Sequence, residues 1–261
     1  MIIETLFYLR EYLFPSGCGG CGEALLNGED AYFGLCGNCR AVFESAFAGE
    51  SRCEICGKPL ISEKEACLSC RKNGALESGR YNERLIKLRT CFPYTGKFRL
   101  SLGAYKFGKS LGAGNFLAGF FLPAIEGLGL APNGETAWVP VPPRPGKIKK
   151  KGWDQIEYLA KLLGRNHRRE ASHRRSGGSG PRYSFPVCRC LKRLPSRSQK
   201  ELNREERGTN LKGRILCKKQ PPRTAILFDD VMTTGATLDA CAAALLEGGA
   251  EKVYGVCLFF D

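Results

Sequence analysis

Histidine is almost absent from this 261-residue chain, which contains only His167 and His173. Both lie in or beside a basic segment rich in glycine and serine, a context that favours neither a catalytic base nor a zinc ligand. We therefore expect any bound metal to be held by other side chains.

Long apolar runs are also missing, since no stretch reaches the roughly 18 apolar residues that a membrane-spanning helix needs. The sequence therefore predicts a soluble, cytoplasmic protein. The segment Met1 to Pro15 is apolar enough to suggest an export signal, but Glu4, Arg10 and Glu11 interrupt its apolar core. A short amphipathic helix that ends at Pro15 is the favoured interpretation, and export is the alternative.

Acidic residues are scarce between Val139 and Thr224, where about two dozen Lys and Arg stand against about six Asp and Glu. The whole chain has a formal net charge of +14 and a pI near 9.2. This balance favours a polyanionic partner or substrate. A phosphorylated small molecule, a nucleic acid and an anionic surface fit it equally well.

Cysteine, in contrast, is abundant, and eight of the 14 cysteines fall in four Cys-x-x-Cys pairs. The pairs form an internal repeat in which each half begins Cys-x-x-Cys-Gly and ends Cys-x-x-Cys-Arg. The two-residue spacer lets both thiolates reach one ion, and four thiolates suit tetrahedral zinc. The sequence therefore predicts two zinc ribbons in a reducing compartment rather than disulfides. The predicted ligands are Cys18, Cys21, Cys36 and Cys39 in the first ribbon, and Cys53, Cys56, Cys67 and Cys70 in the second.

This metal assignment leaves some alternatives open. Ligands are paired here in sequence order, although an interleaved cross-brace is possible, and iron–sulfur ligation or redox pairs are the alternatives to zinc. A ribbon of about 20 residues has almost no core, so we expect the metal to supply most of its folding energy. Basic residues of the ribbons either contact phosphates or form a solvated surface. The other cysteines are interpreted as core thiols, least firmly for the Cys188-Arg-Cys190 pair; they are Cys91, Cys188, Cys190, Cys217, Cys241 and Cys257.

Near the C-terminus, a buried-type strand from Ala225 to Phe228 precedes two adjacent carboxylates, Asp229 and Asp230. At the carboxyl end of a parallel strand these carboxylates can bind vicinal hydroxyls. A loop of small residues and then a helix follow, and a helix N-terminus favours a phosphate. An ordinary strand-to-helix turn with a threonine cap is the alternative. The loop residues are Val231, Met232, Thr233, Thr234, Gly235, Ala236 and Thr237.

These residues resemble the 5-phosphoribosyl-1-pyrophosphate (PRPP) loop of type I phosphoribosyltransferases at every position of the motif. The resemblance implies that Asp229 and Asp230 orient the ribose hydroxyls as catalytic residues, that the loop binds the phosphate, and that Mg²⁺ accompanies PRPP. Regulators with this fold also carry the motif, so it indicates binding more strongly than turnover.

The chain resembles the ComF family almost from end to end. The family's Val-Pro-Val-Pro element matches Val139 to Pro142, and its Arg-Gly-Phe-Asn-Gln element matches Lys151 to Gln155, with Lys151 in place of arginine. The family's Arg…Gln…Arg…Asn stretch matches Arg193, Gln199, Arg207 and Asn210. This resemblance implies a small zinc-ribbon module followed by an α/β domain with a type I phosphoribosyltransferase-like parallel sheet flanked by helices. The corresponding domains are residues 1–75 and 88–261.

The resemblance also implies a role in DNA uptake and natural transformation, with single-stranded DNA and DNA-uptake proteins as possible partners. A pyrophosphate-binding loop is implied at Val141, Pro142, Pro143 and Arg144. The segment 194–212 would form a mobile basic hood over the ligand. The basic and polar residues expected around the ligand are Lys106, Lys151, Arg193, Gln199, Arg207 and Asn210.

One segment departs from the family pattern, because residues 165–187 are longer and richer in Gly and Ser than expected. We predict a disordered basic insertion there, either a nucleic-acid arm or a solvated loop. Two other functions compete with the ComF-like role. They are a nucleobase phosphoribosyltransferase of nucleotide salvage, and a zinc-ribbon adaptor for nucleic acid in which the α/β domain is only a scaffold.

Overall fold

The computed structural model describes residues 16–48, 51–126, 128–130, 134–175, 184–195, 211 and 213–261. The amphipathic helix predicted for residues 1–15 lies outside these ranges, as do Gln199, Arg207 and Asn210. Among the helices in these ranges, none is both long enough and apolar enough to cross a membrane.

A sheet of four parallel strands, in the order β1-β6-β5-β2, forms the centre of the fold. The two central strands pair along their whole length, from Thr224 opposite Lys252 to Met232 opposite Phe260. A separate antiparallel pair joins β3 to β4. The strands are β1 (Leu88–Pro93), β2 (Thr136–Pro140), β3 (Leu191–Arg193), β4 (Ile215–Cys217), β5 (Thr224–Met232) and β6 (Lys252–Phe260).

Helices lie between successive strands of the parallel sheet, as right-handed crossover connections require. Together with the sheet and the N-terminal cysteine module, they confirm the predicted α/β fold. Within the described ranges, the helices are α1 (Gly28–Phe33), α2 (Gly37–Ala48), α3 (Leu68–Lys72), α4 (Ala75–Ser78), α5 (Gly96–Lys106), α6 (Leu111–Ala118), α7 (Phe121–Ile125), α8 (Lys147–Lys151), α9 (Gln155–Arg175) and α10 (Ala236–Glu247).

Strand β5 carries apolar side chains to both faces of the sheet, as a buried parallel strand should. Ile226 and Phe228 belong to one buried cluster, and Ala225 and Leu227 belong to another. The first cluster includes side chains of the first cysteine ribbon, and the second includes side chains of the second ribbon. Each ribbon therefore completes the core on one face of the sheet.

The first ribbon packs on the sheet and its helices through aromatic side chains. Phe43 of α2 is fully buried, and its ring meets those of Phe92 and Phe116 edge-on at centroid distances of 4.8 and 5.5 Å. Such pairs add about 0.5–1.5 kcal/mol each to the apolar area that they bury. The ribbon is therefore part of the same packed core as β1 and α6.

The second ribbon contacts β1 through backbone hydrogen bonds. The Leu88 N–H donates to the Ile55 carbonyl at 2.9 Å, and the Thr90 N–H donates to the Cys56 carbonyl at 3.1 Å. The knuckle of the ribbon thus pairs with β1, which is the outer strand of the sheet. This pairing covers an edge that would otherwise expose unpaired peptide groups.

The region predicted as a disordered insertion is partly ordered. Helix α9 continues to Arg175, into the region predicted as a disordered insertion, because its sequence contains no proline and is rich in residues that favour helices. Farther along, Phe185 is buried at 1% exposure, and Val187 pairs with Trp138 at the edge of β2. Residues 165–175 thus continue helix α9 and residues 184–187 pack on the sheet, while residues 176–183 of the predicted insertion lie outside the described ranges.

Candidate functional site

The two acidic residues lie within β5 rather than after it. The sequence predicts the strand to end at Phe228, but the last residues of β5 pair with β6, with Asp229 opposite Cys257 and Val231 opposite Phe259. Strand β2 ends opposite Phe228, where the Val141 N–H donates to the Phe228 carbonyl at 3.1 Å. Beyond that point, the β2 side of β5 faces the loop that follows β2.

Asp230 is the more buried of the two acids, at 4% exposure. Its Oδ2 lies 2.8 Å from the Lys106 ammonium nitrogen and accepts a second bond, also 2.8 Å long, from the Gln155 side-chain amide. Burial alone would raise the pKa of Asp230, but the Lys106 charge and these two hydrogen bonds bring it below its ordinary value. Asp230 is therefore a carboxylate at neutral pH.

A second basic group extends this network. The Lys147 ammonium group, in α8, donates to the Asp154 carboxylate and to the side-chain carbonyl of Gln155. Asp154 also caps α9, because its Oδ1 accepts from the N–H groups of Ile156 and Glu157 at 2.9 and 3.0 Å. The start of α9 is thereby fixed against Asp230.

Asp229 has a different environment. Its Oδ1 accepts from the N–H of Asp230 at 2.9 Å, and the residue is half-buried. Burial and the neighbouring charge of Asp230 raise the pKa of Asp229 well above its ordinary value, against the opposing influence of Lys106. The pair therefore combines one stabilised carboxylate with one that takes up a proton readily, a combination common at functional sites.

After β5, the chain turns into the N-terminus of α10. Gly235 is the N-cap and has a φ of 77°, a left-handed conformation that favours glycine. The Ala236 N–H points to Thr234 Oγ1 at 3.4 Å, and the Asp239 N–H closes the first turn onto the Gly235 carbonyl at 2.9 Å. A helix of 12 residues thus presents its N-terminal N–H groups beside the two acids.

Two of the predicted loop residues belong to the strand. Met232 is 5% exposed and packs in the second core cluster, while its carbonyl accepts from the N–H of Asp261 at 3.0 Å. Val231 pairs with Phe259 in the sheet. The donors that face the turn therefore begin at Thr233, which is exposed, and continue into α10.

The predicted pyrophosphate loop offers fewer backbone donors than the sequence suggests. The Val141 N–H is used by β5, and prolines 142 and 143 have no N–H. This leaves Arg144, which is exposed. Arg193, on β3, lies near it: burial and the Arg144 charge lower the pKa of Arg193, and Asp229 acts in the opposite direction.

The structure thus pairs Lys106 with Asp230 and places Arg193 within electrostatic reach of both Arg144 and Asp229. Lys151 ends α8 and is exposed, and it is Lys147 from the same helix that enters the acidic network. Sequence reasoning missed the roles of Lys147, Asp154 and Gln155. Gln155 had a signal, because it ends the motif from Lys151 to Gln155, but the motif did not identify its partner.

The cysteines form the two predicted groups, in sequence order. In each group the four Sγ atoms all lie within 4.8 Å of one another. Two of these separations are 3.7 Å, from Cys21 to Cys36, and 3.6 Å, from Cys56 to Cys67. Zinc–sulfur bonds of about 2.3 Å in a tetrahedron place sulfur atoms about 3.8 Å apart.

Backbone N–H groups around Cys18 also support zinc binding. Cys18 Sγ accepts from the N–H groups of Gly20 and Cys36 at 3.4 and 3.3 Å, contacts that favour a thiolate. The donor set, the spacing and the surrounding N–H groups fit structural zinc at both sites. The pairing predicted from the sequence is confirmed.

Comparison with known proteins agrees with this geometry. A family model described as a double zinc ribbon domain matches residues 9–71. The protein called competence protein ComFC, from Streptococcus pneumoniae, is 28% identical over 233 residues, which are 88% of this chain and 88% of that protein. The similarity therefore extends through the ribbons and the α/β domain together.

Proposed function

We propose that this chain is a ComF-like, competence-related protein and that it binds the phosphoribosyl group of PRPP at the carboxyl edge of its sheet. The observation that carries the proposal is the position of Asp229 and Asp230 beside the glycine-capped N-terminus of α10. A ribose 5-phosphate needs acceptors for its hydroxyls and donors for its phosphate, and this edge supplies both within one turn of chain.

The two acids have separate roles in this proposal. Asp229 accepts hydrogen bonds from the ribose hydroxyls, because its carboxylate has no lysine or glutamine bonded to it among the contacts described above. Asp230 is held by Lys106 and Gln155, so it orients those two side chains toward the ligand. Lys106 then contributes positive charge beside the anomeric carbon.

The pyrophosphate lies on the opposite side of the ribose, near Arg144 and Arg193. These guanidinium groups are close enough that Arg144 lowers the pKa of Arg193, and an anion between them would relieve their mutual repulsion. Mg²⁺ bound with the ligand would neutralise the remaining phosphate charge. In a transfer reaction, the residues of this chain would act by positioning and by charge stabilisation, without a covalent nucleophile.

Single-stranded DNA is the second proposed ligand. A cavity of about 330 Å³ lies between α9 and residues 186–189, and Lys161, Arg168 and Arg189 line it together with apolar groups. Basic side chains beside an apolar surface suit a phosphate backbone with its bases. Replacing Lys161 and Arg168 with alanine should weaken the binding of a fluorescent oligonucleotide and reduce its salt dependence. Unchanged binding would exclude the cavity as the DNA site.

Calorimetric titration with PRPP, ribose 5-phosphate and pyrophosphate, each with Mg²⁺, tests the proposed site. We expect all three to bind, with PRPP the tightest because it occupies both subsites. If pyrophosphate were the only one of the three ligands to bind, the proposal for the α10 turn would be contradicted. Release of pyrophosphate in the presence of one nucleobase from a panel would instead identify a salvage phosphoribosyltransferase.

A further inference from the structure

The linker between the second ribbon and β1 lies against the start of α10. Arg84 donates to one carboxylate oxygen of Asp239 at 2.6 Å, and the Asn82 amide donates to the other at 3.2 Å. Asp239 is in the first turn of α10, four residues after the N-cap Gly235. The linker therefore contacts the turn that we propose holds the ligand phosphate.

The linker has a defined shape of its own. Asn82 Oδ1 accepts from the N–H groups of Arg84 and Leu85 at 2.9 and 2.7 Å, which is an Asx turn. The Tyr81 N–H donates to the Ile86 carbonyl, and the Ile86 N–H donates to Val253 in β6, both at 2.9 Å. The side chains at 81, 82 and 84 are therefore presented from a closed turn attached to the sheet.

Tyr81 lies beside the N-cap itself. A Cβ atom added at Gly235 would lie 3.3 Å from the Tyr81 hydroxyl oxygen, so the hydroxyl fills the space beside the glycine. The rest of the Tyr81 side chain packs against the buried cluster that contains Cys56 and Cys70 of the second ribbon. Leu238 and Cys241, on the buried side of α10, belong to the same cluster.

Charge gives the linker a second role. Asp239 stabilises the N-terminus of α10 in the absence of ligand, since a negative charge there interacts favourably with the helix dipole. The same charge would repel a phosphate bound to the first turn. Arg84 neutralises Asp239 through the 2.6 Å ion pair. Asp239 can therefore remain at the N-terminus of α10 without preventing the turn from accepting an anion.

We propose that Tyr81, Asn82 and Arg84 are positioning residues for the phosphate-binding turn, and that the second zinc ribbon holds this turn in its binding conformation through them. The proposal rests on the proposed function. It assigns the second ribbon, and not the first, to the phosphate subsite, because the linker and α10 share the buried cluster of the second ribbon alone.

The test compares Arg84→Ala with Arg80→Ala by calorimetry, using zinc-loaded protein. Arg80 is a matched control, because it belongs to the same linker and its side chain donates to the carbonyls of Asn82 and Glu83 rather than to Asp239. For Arg84→Ala we expect the Kd for PRPP to rise about threefold to tenfold, a modest effect because the ion pair is partly exposed. The Kd for pyrophosphate alone, which lies at the other subsite, should not change.

Two further variants separate charge from packing. Arg84→Lys should restore most of the PRPP affinity, and the double variant Arg84→Ala with Asp239→Asn should bind PRPP better than Arg84→Ala alone, because it removes the unpaired negative charge. An unchanged PRPP Kd in Arg84→Ala, or an equal weakening of PRPP and pyrophosphate binding, would overturn the proposal.

Amide hydrogen exchange tests the role of the linker without any ligand. We expect the amides of residues 233–239 to exchange faster in Arg84→Ala than in Arg80→Ala, with the zinc content of both variants unchanged. Failure of the wild-type protein to bind PRPP would refute the proposed function, while equal exchange in the two variants would refute the role of the linker.

Discussion

The ammonium nitrogen of Lys106 lies 2.8 Å from Oδ2 of Asp230, at the end of the strand that carries both acids. This contact brings the pKa of Asp230 below its ordinary value against the effect of burial, while Asp229, one residue away, has its pKa raised. The pKa values of two adjacent carboxyl groups are therefore shifted in opposite directions.

Replacing Lys106 with methionine should destabilise the protein. Asp230 would keep its bond from Gln155 but lose its only described ion-pair partner, and breaking a buried pair costs about 3–5 kcal/mol. We expect about 2–3 kcal/mol, because Lys106 is partly exposed. Urea denaturation measures the change, with Lys97→Met on the exposed side of the same helix as the control. Equal stability of the two variants would show that the pair contributes little.

Asp229 and Asp230 should contribute to the free energy of unfolding with opposite pH dependences. For Asp230, with its lowered pKa, the contribution is present above the ordinary aspartate pKa and is lost as the pH falls through the lowered folded value. For Asp229, with its raised pKa, the contribution is present below the ordinary value of 3.8 and is lost as the pH rises through the folded value.

The second of these effects can be isolated with Asp229→Asn, which mimics the protonated acid. The variant and the wild type should have similar unfolding free energies near pH 3, and the variant should become the more stable one as the pH rises above 3.8. Denaturation curves across this range check the sign. A difference that stays constant with pH would mean that Asp229 titrates normally.

Close packing of the second ribbon on β1 predicts different effects for two glycines of the same motif. Gly57 and Gly22 both have a left-handed φ, at 72° and 82°, so alanine strains each backbone by about 1 kcal/mol. A Cβ at Gly57 would also lie 2.8 Å from the Thr90 nitrogen, whereas a Cβ at Gly22 meets nothing within 4 Å. Gly57→Ala should therefore lower the melting temperature more than Gly22→Ala does. Equal shifts would contradict the described contact between the ribbon and β1.

Zinc removal should unfold more than the ribbons. Because both ribbons complete the cores on the faces of the sheet, chelation should abolish cooperative unfolding of the whole chain. Metal analysis should give two zinc ions per chain before chelation, and calorimetry should detect no native transition afterwards. A metal-free protein that still melts cooperatively would show that the α/β domain is stable alone.

The features that could be predicted from the sequence are those whose residues lie close together along the chain. Each cysteine pair is separated by two residues, so the zinc groups could be assigned without a fold. The acids and the small-residue turn are also contiguous, from Asp229 to Thr237. Contacts between distant segments could not be predicted, because no local pattern specifies them: Gln155 reaches Asp230 across 75 residues, and Arg84 reaches Asp239 across 155.

Element ends were predicted less well for a related reason. Strand β5 continues through Asp229 because β6 is long enough to pair with it, and the length of a partner strand is not visible in the sequence of β5. Helix α9 continues to Arg175, into the predicted insertion, because local helix preference outweighs the high charge of that segment. The N–H of Val141 is unavailable to a ligand because of a single hydrogen bond to Phe228.

The most direct test of the central claim is calorimetric titration of the zinc-loaded protein with PRPP and Mg²⁺, comparing the wild type with Asp229→Asn and with Glu247→Gln at the far end of α10. The wild type and Glu247→Gln should bind PRPP alike. Asp229→Asn, although at least as stable at neutral pH, should bind about tenfold to a hundredfold more weakly, because its amide offers the ribose hydroxyls one acceptor oxygen instead of two. Equal PRPP affinity in all three proteins, or no binding to any of them, would contradict the account.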